Sequence, residues 1–455
     1  MVTHGRGLAS ALGNVSLLPF VTIVALALVS LAGCSVFSEK PFPPQDGDVV
    51  PFPPRFRAQP TRAWLQKFHD VARTRLPDPA ASLLTDDLRD ASGAAKDVYA
   101  HFDLDRADLG GVFGNCSGIQ QTAQCSGSPH ASPDGLWDGF ENVWVPVGRG
   151  FSVSGQLGFA TDAAGRPTPS RCIVMLPGFF GDHSVRRTRD MATALLAAGL
   201  HVLAIEIAGH GETEKRFPEI PYTFGYFEAK ELLDVSSWLR RRHPAVTETG
   251  LIGFSWGANT ALMSGYYAST LDPGEGRTPA QEYTAGVLAF SPVPDYDHFL
   301  RNTDGTHSIT GDAVLSRLED VIRIRQEMKQ YDDRSGNFEA LARAEFSRVA
   351  PITAEFEAAA RDFLQLLPAP GDRGRLAAFD RPFVVVQGAN DPLRSAQDVA
   401  ALVAPANNPN VGAVILPGGG HVGFAAYSRS YFYSVIVRFF DPATAPIAVG
   451  APAAE

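Results

Sequence analysis

The 455-residue chain lacks an excess of basic residues and lacks long blocks of like charge. Its 39 Lys and Arg are outnumbered by 49 Asp and Glu, which gives a formal net charge of −10 at pH 7. Nucleic acids and anionic membrane surfaces both select a basic face. The charge balance therefore argues against either as the main partner, and we expect no nucleic-acid binding.

Cysteine is scarce, with four residues in the whole chain. Cys116 and Cys125 flank a short polar loop. In an oxidising compartment we expect them to form a disulfide, worth roughly 2–3 kcal/mol of stability. Zinc binding is the alternative, but two cysteines without a nearby second pair make a poor zinc site. Cys172 opens an apolar strand and is expected to be a buried free thiol. We predict no metal site and no cofactor.

The first 34 residues indicate a targeting segment. The apolar run Val15–Leu31 is nearly unbroken and ends in Leu31-Ala32-Gly33-Cys34. Small residues before a cysteine resemble the lipobox of bacterial lipoproteins, which implies cleavage before Cys34 and lipidation of its thiol. Several acyl chains would anchor the protein stably in the cell envelope, and Ser35 resembles the pattern sorted to the outer membrane. An uncleaved transmembrane anchor is the alternative, because the run is nearly long enough to span a bilayer.

The remainder has the composition of a globular protein, with 45% hydrophobic and 19% charged residues overall. Seven prolines between Lys40 and Pro60 predict an extended spacer. We divide the chain into a signal peptide (1–33), a lipidated cysteine with a proline-rich linker (34–60), an N-terminal extension (61–139), the first part of an α/β core (140–294), a helical cap (295–380), the second part of the core (381–441) and a flexible tail (442–455).

From Phe140 onward, short apolar strands alternate with helical stretches. A hairpin is predicted over 141–160. Further strands are predicted at Cys172–Leu176, His201–Ile207, Gly250–Gly253, Ala285–Phe290, Phe383–Gln387 and Val411–Leu416. Helices are predicted at Ser184–Ala198, Phe227–Arg241, Ala258–Ala268 and Ser428–Phe440, and within the strand-free cap at Asp312–Tyr331 and Phe338–Arg348. This alternation favours a mostly parallel sheet with helices on both faces.

The most informative motif is Gly253-Phe254-Ser255-Trp256-Gly257. A serine between two glycines, after an apolar strand and before a helix, is typical of a sharp turn that exposes a nucleophilic hydroxyl. The glycines remove side chains that would clash within so tight a bend. We therefore predict Ser255 as the catalytic nucleophile.

A nucleophilic serine needs a base to take its proton and an acid to orient that base. Asp391 follows the β-branched strand Phe383–Gln387 directly, where open α/β sheets place functional groups. His421 follows the next strand and three successive glycines, which would let its loop bring the imidazole to Ser255. Asp391 and His421 are therefore the predicted acid and base.

An oxyanion hole needs two backbone N–H groups aimed at the developing negative charge. One is expected from Trp256, the residue after the nucleophile. The other is expected from the loop after Leu176, where we favour the Phe179 N–H, with Phe180 as the alternative. The side chains of these aromatics could pack in the core or line an acyl pocket, and Phe180 is our candidate for substrate contact.

Two histidines near these motifs are considered separately. His210, in Gly209-His210-Gly211, follows the strand that precedes the nucleophile strand, and we expect it to be structural. His183 lies close to the oxyanion loop and is a minor candidate for substrate contact.

Four signals follow one another along the chain: the oxyanion loop after Leu176, the Ser255 motif, Asp391 and His421. With these in order, residues 140 to 440 resemble an α/β-hydrolase. Two segments are most similar to the YheT-like branch of esterases: the ending Gly420-His421-Val422-Gly423-Phe424 and the motif Gly-x-Ser-x-Gly-x-Asn from Gly253 to Asn259. The resemblance implies an α/β-hydrolase fold and a serine hydrolase whose substrate is a small-molecule or lipid acyl ester. Pro177 stands where the family often has histidine, and both the large cap and the N-terminal extension depart from the branch.

Two alternatives remain open at the level of sequence. The same triad could transfer the acyl group to another alcohol or cleave an amide, because the first half-reaction is shared. A lipoprotein scaffold with an idle triad is the alternative from a different functional class.

Overall fold

The structure is a computed structural model, and it describes residues 137–179, 181–183, 186–271, 281–295, 309–349, 353–388, 396–408, 410–416, 436–437 and 439–440. Several predicted residues lie outside these ranges, namely Cys34, Cys116, Cys125, Phe180, Asp391 and His421. So do the segments predicted as signal peptide, linker and tail, and nearly all of the predicted N-terminal extension. Within the described ranges, no helix combines the length and apolar character needed to cross a membrane.

The described residues form one eight-stranded sheet in the order β1-β2-β4-β3-β5-β6-β7-β8. Strands β1 and β2 are the predicted hairpin, and β2 also pairs antiparallel with β4. The remaining neighbours pair in parallel, which confirms a mostly parallel sheet. The strands are β1 Phe140–Pro146, β2 Ser152–Gly158, β3 Ser170–Leu176, β4 His201–Glu206, β5 Val246–Phe254, β6 Gly286–Phe290, β7 Phe383–Gly388 and β8 Val411–Leu416.

Helices connect the parallel strands. They are α1 Arg186–Ala197, α2 Gly211–Arg216, α3 Glu228–Arg242, α4 Trp256–Thr270, α5 Ile309–Met328, α6 Phe338–Ser347, α7 Ala354–Leu364 and α8 Ala396–Val403. Every residue of β4 and of β6 is buried. Successive strand residues point to opposite faces, so complete burial means that both faces of the sheet are covered. Cys172 is a buried free thiol, as predicted, and burial raises its pKa.

The cap helices α5, α6 and α7 are inserted between β6 and β7. The N–H groups of Leu366 and Leu367 both donate to the Pro294 carbonyl, at 2.9 and 3.2 Å. The chain therefore returns after the cap to the point where it left the core. No strand occurs among the described residues of 295–380, in agreement with the predicted helical region.

The register places the carboxyl-terminal ends of four strands side by side, along what is here called the carboxyl edge of the sheet. Phe254 pairs with Phe290, Phe290 with Val386, and Val386 with Val414. Ser255, directly after β5, therefore emerges where β6, β7 and β8 also end. This edge is where a parallel sheet gathers functional groups.

Candidate active site

Ser255 occupies a strained turn between β5 and α4. Its backbone angles are φ 54° and ψ −120°, a conformation that a residue with a side chain rarely adopts. Its N–H donates to the Phe290 carbonyl at 2.8 Å, and its own carbonyl accepts from the Ala258 N–H at 2.9 Å. The two hydrogen bonds hold the turn against the neighbouring strand and the first turn of α4. Strain retained at a serine between a strand and a helix is typical of a nucleophile.

The two glycines of the motif are required by close backbone approach. A methyl carbon on Gly253 would overlap the Gly257 carbonyl, and one on Gly257 would overlap the Pro177 carbonyl. The first contact lets the chain reverse at Ser255. The second lets the segment after β3 lie against the start of α4.

That segment, residues 177–183, is here called the oxyanion loop. A methyl carbon on Gly178 would lie 3.4 Å from the Ser255 β-carbon, so the loop passes directly beside the nucleophile. The Gly181 N–H donates to the Gly178 carbonyl at 3.0 Å and closes a four-residue turn with Phe179 as its second residue. Trp256 is the first residue of α4, where backbone N–H groups have no partner within the helix. Phe179, in the loop that passes Ser255, and Trp256, directly after Ser255, thus occupy the positions expected of oxyanion-hole donors.

The side chains of Phe179 and Trp256 belong to a buried aromatic cluster, which we define as Phe179, Tyr222, Phe224, Trp256 and Phe338. Phe338, from the cap helix α6, lies with its ring centroid 5.6 Å from Phe179 and 4.9 Å from Trp256. The indole N–H of Trp256 donates to the Phe224 carbonyl at 2.9 Å. Both side chains are almost fully buried, so they pack the core between α4 and the cap.

His210 is buried at the N-terminus of α2. Its Nδ1 lies 2.8 Å from the Ala208 carbonyl, and its ring meets the Tyr222 ring edge-on at 4.7 Å. Burial, together with the positive charge of Arg325, lowers the pKa of His210 to about 4. The imidazole is therefore neutral at pH 7, and its surroundings agree with the expected structural role.

His183, the minor candidate for substrate contact, lies at the end of the oxyanion loop. Its Nδ1 is 3.2 Å from a carboxylate oxygen of Glu206, and its Nε2 is 3.1 Å from the Ala204 carbonyl. Both ring nitrogens face protein oxygens. The geometry therefore favours an anchoring role over contact with substrate.

Sequence reasoning missed an ion cluster beneath the cap, formed by Glu214, Arg325, Lys329 and Glu345. Arg325 is fully buried on α5 and donates to Glu214 at 2.7 Å and to Glu345 at 3.0 Å. Lys329 lies 2.6 Å from Glu214. Burial raises the pKa of Glu214, but Arg325 and Lys329 outweigh it, so the pKa falls below its ordinary value. The cluster ties the cap to the segment after β4, and nothing in the local sequence pairs residues so far apart.

A second missed contact fixes the helix behind the nucleophile. The Asn259 side chain donates to the Val293 carbonyl at 2.8 Å and accepts from the Val293 N–H at 2.8 Å. This pair of hydrogen bonds joins α4 to the segment after β6. The residue stands in the motif Gly253 to Asn259, but its role depends on a partner that the sequence does not identify.

The predicted acid and base lie outside the described residues, and their strands are described. Strand β7 ends three residues before Asp391, and β8 ends five residues before His421. In the part of the chain that is described, no three His, Cys, Asp or Glu side chains group as a metal site would require. The described geometry offers a strained serine beside a loop of backbone amides.

Comparison with known proteins gives one family match. Residues 173–429, more than half of the chain, match the family described as Alpha/beta hydrolase family. No curated protein matches the chain.

Similar solved structures include the Pyrococcus furiosus esterase Pf2001, 17% identical with a TM-score of 0.42 over 66% of this chain and 91% of that one. Est1E from Butyrivibrio proteoclasticus is 14% identical, with a TM-score of 0.38 over 66% of this chain and 96% of that one. The 2,6-dihydroxy-pseudo-oxynicotine hydrolase is 14% identical, with a TM-score of 0.46 over 85% of this chain and 89% of that one.

Proposed function

Because this chain belongs to the alpha/beta hydrolase family, we propose that it is a serine hydrolase that cleaves carboxylic esters through an acyl-enzyme. The observation that carries the proposal is Ser255, held at φ 54° between β5 and α4 with the oxyanion loop beside it. A serine strained at the edge where strands end is suited to attack a carbonyl carbon. The family supports hydrolysis as the type of reaction, and the strained turn supports Ser255 as the nucleophile.

The proposed reaction runs in two halves. Ser255 Oγ bonds to the ester carbonyl carbon while His421 takes the hydroxyl proton, and Asp391 orients the imidazole and stabilises its cation. The Phe179 and Trp256 N–H groups donate to the negative oxygen of the tetrahedral intermediate. The bond to the alcohol breaks as His421 returns the proton to the leaving oxygen. Water, deprotonated by His421, then attacks the acyl-enzyme and releases the carboxylic acid and free Ser255.

The strand ends support Asp391 and His421 in these roles. Neighbouring strands lie about 4.8 Å apart, so β7 runs about 10 Å and β8 about 14 Å from β5. Three residues of extended chain reach at most about 11 Å, and five reach at most about 18 Å. Both side chains therefore have enough chain to return to Ser255.

The test is hydrolysis of p-nitrophenyl esters of increasing chain length by the full-length chain and by Ser255→Ala. Ser264→Ala is the matched control, because Ser264 is a buried serine on helix α4, which begins directly after Ser255. We expect loss of turnover in Ser255→Ala alone, and the chain-length optimum will size the acyl site. Full turnover in Ser255→Ala would overturn the mechanism.

Product analysis separates hydrolysis from acyl transfer and amide cleavage. Hydrolysis predicts that the free acid accumulates at a rate unaffected by added alcohols. A transferase would instead form the new ester in proportion to the acceptor. An idle scaffold would show no Ser255-dependent turnover with esters or with the matching anilides.

We also propose that the enzyme is lipidated on Cys34 and held in the cell envelope, at the outer membrane. The support is the sequence Leu31-Ala32-Gly33-Cys34 after an apolar run. Growth with an alkyne-tagged palmitate should label the wild type and leave Cys34→Ser unlabelled. Fractionation should recover the labelled protein with outer membranes. A labelled Cys34→Ser variant would overturn the assignment of the modified residue.

A further inference from the structure

The oxyanion loop is fixed to the nucleophile turn on only one of its sides. On that side, the Pro177 carbonyl packs on Gly257 and Gly178 lies beside Ser255. The peptide between Gly178 and Phe179 carries the N–H that is to face the oxyanion. In a trans peptide the carbonyl and the N–H point in opposite directions, so whatever fixes the Gly178 carbonyl also aims the Phe179 N–H.

The opposite side of the loop is held by Glu206, the last residue of β4. The carboxylate is buried, and its Oε1 accepts from the His183 N–H at 2.8 Å. The His183 Nδ1 lies 3.2 Å from the same oxygen. One side chain therefore fixes both the backbone and the imidazole at the residue that ends the loop.

The second carboxylate oxygen of Glu206 is bonded to a different segment. Its Oε2 accepts from the Glu212 N–H at 2.8 Å, in the first turn of α2. Gly211 has φ +46°, and any methyl carbon there would overlap the Glu206 carboxylate. The chain after β4 thus wraps closely around this side chain, so the carboxylate cannot shift without moving α2.

The Gly178 carbonyl, in the peptide that carries the Phe179 N–H, is held as well. It accepts from the Gly181 N–H at 3.0 Å, two residues before His183. The buried imidazole of His210 also lies within hydrogen-bonding reach of this carbonyl, which partly offsets the lowering of the His210 pKa by burial. The turn 178–181 therefore sits between Ser255 on one side and groups from the segment after β4 on the other.

We infer that Glu206 is a positioning residue for the oxyanion hole, which rests on the function proposed above. It acts through the loop, by holding the base of the turn that presents the Phe179 N–H. It does not touch substrate. Loosening this hold displaces a donor used most in the transition state, so turnover suffers while substrate binding is retained.

The test is Glu206→Gln, which has the same shape but places an NH₂ group against one of two backbone N–H donors. The matched control is Glu282→Gln. Glu282 is also buried and lies 2.7 Å from Arg240. It precedes β6, so it lies near the amino-terminal end of that strand, away from Ser255. Both variants are compared with the wild type in ester hydrolysis, in thermal unfolding and in inhibition by phenylboronic acid, whose boron becomes tetrahedral on the serine oxygen.

We expect kcat of Glu206→Gln to fall at least about 10-fold, within the range up to about 10³-fold known for loss of one oxyanion donor. KM should stay within about 3-fold, and the inhibition constant of phenylboronic acid should rise in parallel with the loss of kcat. Glu282→Gln should keep wild-type kcat. Glu206→Asp, which retracts the carboxylate, should give the same pattern if the Gln variant does not fold.

A folded Glu206 variant with less than about a 10-fold loss of kcat, or with unchanged boronic acid inhibition, would overturn the inference. An equal loss in Glu282→Gln would do the same, because it would make the effect one of general stability. Failure of the proposed function is a distinct result, in which the wild type itself shows no Ser255-dependent hydrolysis and there is no oxyanion to stabilise.

Discussion

The carbonyl oxygen of Pro177 lies against the α-carbon of Gly257, so closely that no β-carbon fits between them. Pro177 opens the oxyanion loop, and Gly257 is the second residue of α4. This contact sets the separation between the two amides proposed to bind the oxyanion. Its geometry explains the second glycine of the serine motif by a neighbour 80 residues away in sequence.

Gly257→Ala should push the oxyanion loop away from Ser255. We expect kcat/KM for p-nitrophenyl esters to fall about 10²-fold, the size of effect that follows a displacement of about 1 Å. The overpacking should also cost about 1–3 kcal/mol of unfolding free energy. Steady-state kinetics and urea unfolding measure the two effects.

Gly265→Ala is the control for that experiment. A methyl carbon there would meet the Phe379 ring at 2.7 Å, so this variant is also overpacked on the same helix. It lies eight residues further along α4, about 12 Å from Gly257 at the helical rise. Equal losses of activity in the two variants, at equal stability, would contradict a specific role for the Pro177 contact.

Removal of Arg325 should destabilise the protein strongly. Arg325→Met leaves Glu214 and Glu345 buried without their shared cation, and breaking a buried pair from one side costs about 3–5 kcal/mol. Arg323→Met is the matched control on the same helix, since Arg323 is exposed and pairs with Asp320 and Glu327, which are exposed as well. Urea unfolding should show a clear loss for the first variant and no resolvable change for the second. Similar stability of the two would mean that the ion cluster does not hold the cap.

Buried His210 should make the protein sensitive to acid. Its folded pKa is about 4, below the ordinary 6.5, so the unfolded chain takes up the proton first as pH falls. The stability it contributes is complete above pH 6.5 and is lost progressively down to about pH 4, by up to about 3 kcal/mol. Arg325, Glu214 and Tyr222 face the ring and contribute to its electrostatic surroundings.

Urea unfolding at pH 7, 6, 5 and 4 measures this dependence in the wild type and in His210→Asn. The variant should lose less stability than the wild type across that interval, whatever its stability at pH 7. Parallel curves for the two proteins would show that His210 does not titrate in this way.

The proposed acid and base should act as one unit with Ser255. Asp391→Asn is expected to lower kcat by about 10⁴-fold, since an uncharged partner favours the wrong imidazole tautomer. His421→Gln should have a comparable effect, and combining it with Ser255→Ala should add little to either single loss. Multiplicative losses in the double variant would show that the two residues do not share a step.

The fold was predictable from sequence where side chains alone determine it. Strands β7 and β8 are apolar runs, and their predicted and observed limits agree within one residue. The described side chains Phe383–Gln387 of β7 are all buried. Strand β5 begins at Val246, four residues earlier than predicted. The polar side chain of Thr249 interrupts the apolar pattern, so the pattern alone indicates a later start. In the folded protein the Thr249 hydroxyl lies buried against the Ser236 hydroxyl at 2.6 Å, which the sequence does not reveal.

The site divides in the same way. The sharp turn at Ser255 and the loop that contains Phe179 could be predicted, because a turn and its glycines are local in sequence. The roles of Glu206 and Arg325 could not be predicted, because they depend on partners that only the folded chain brings close. Glu206 looks like the polar end of a strand until His183 is placed beside it, and Arg325 looks like a surface cation of the cap until its carboxylates are known.

The most direct test of the account is reaction of the full-length chain with a fluorophosphonate, followed by peptide mass spectrometry. The account predicts one stoichiometric adduct, on the oxygen of Ser255. The adduct should be lost in Ser255→Ala, strongly slowed in His421→Gln and unchanged in Ser264→Ala. An unreactive wild type, or an adduct on a different residue, would contradict the claim that Ser255 is an activated nucleophile.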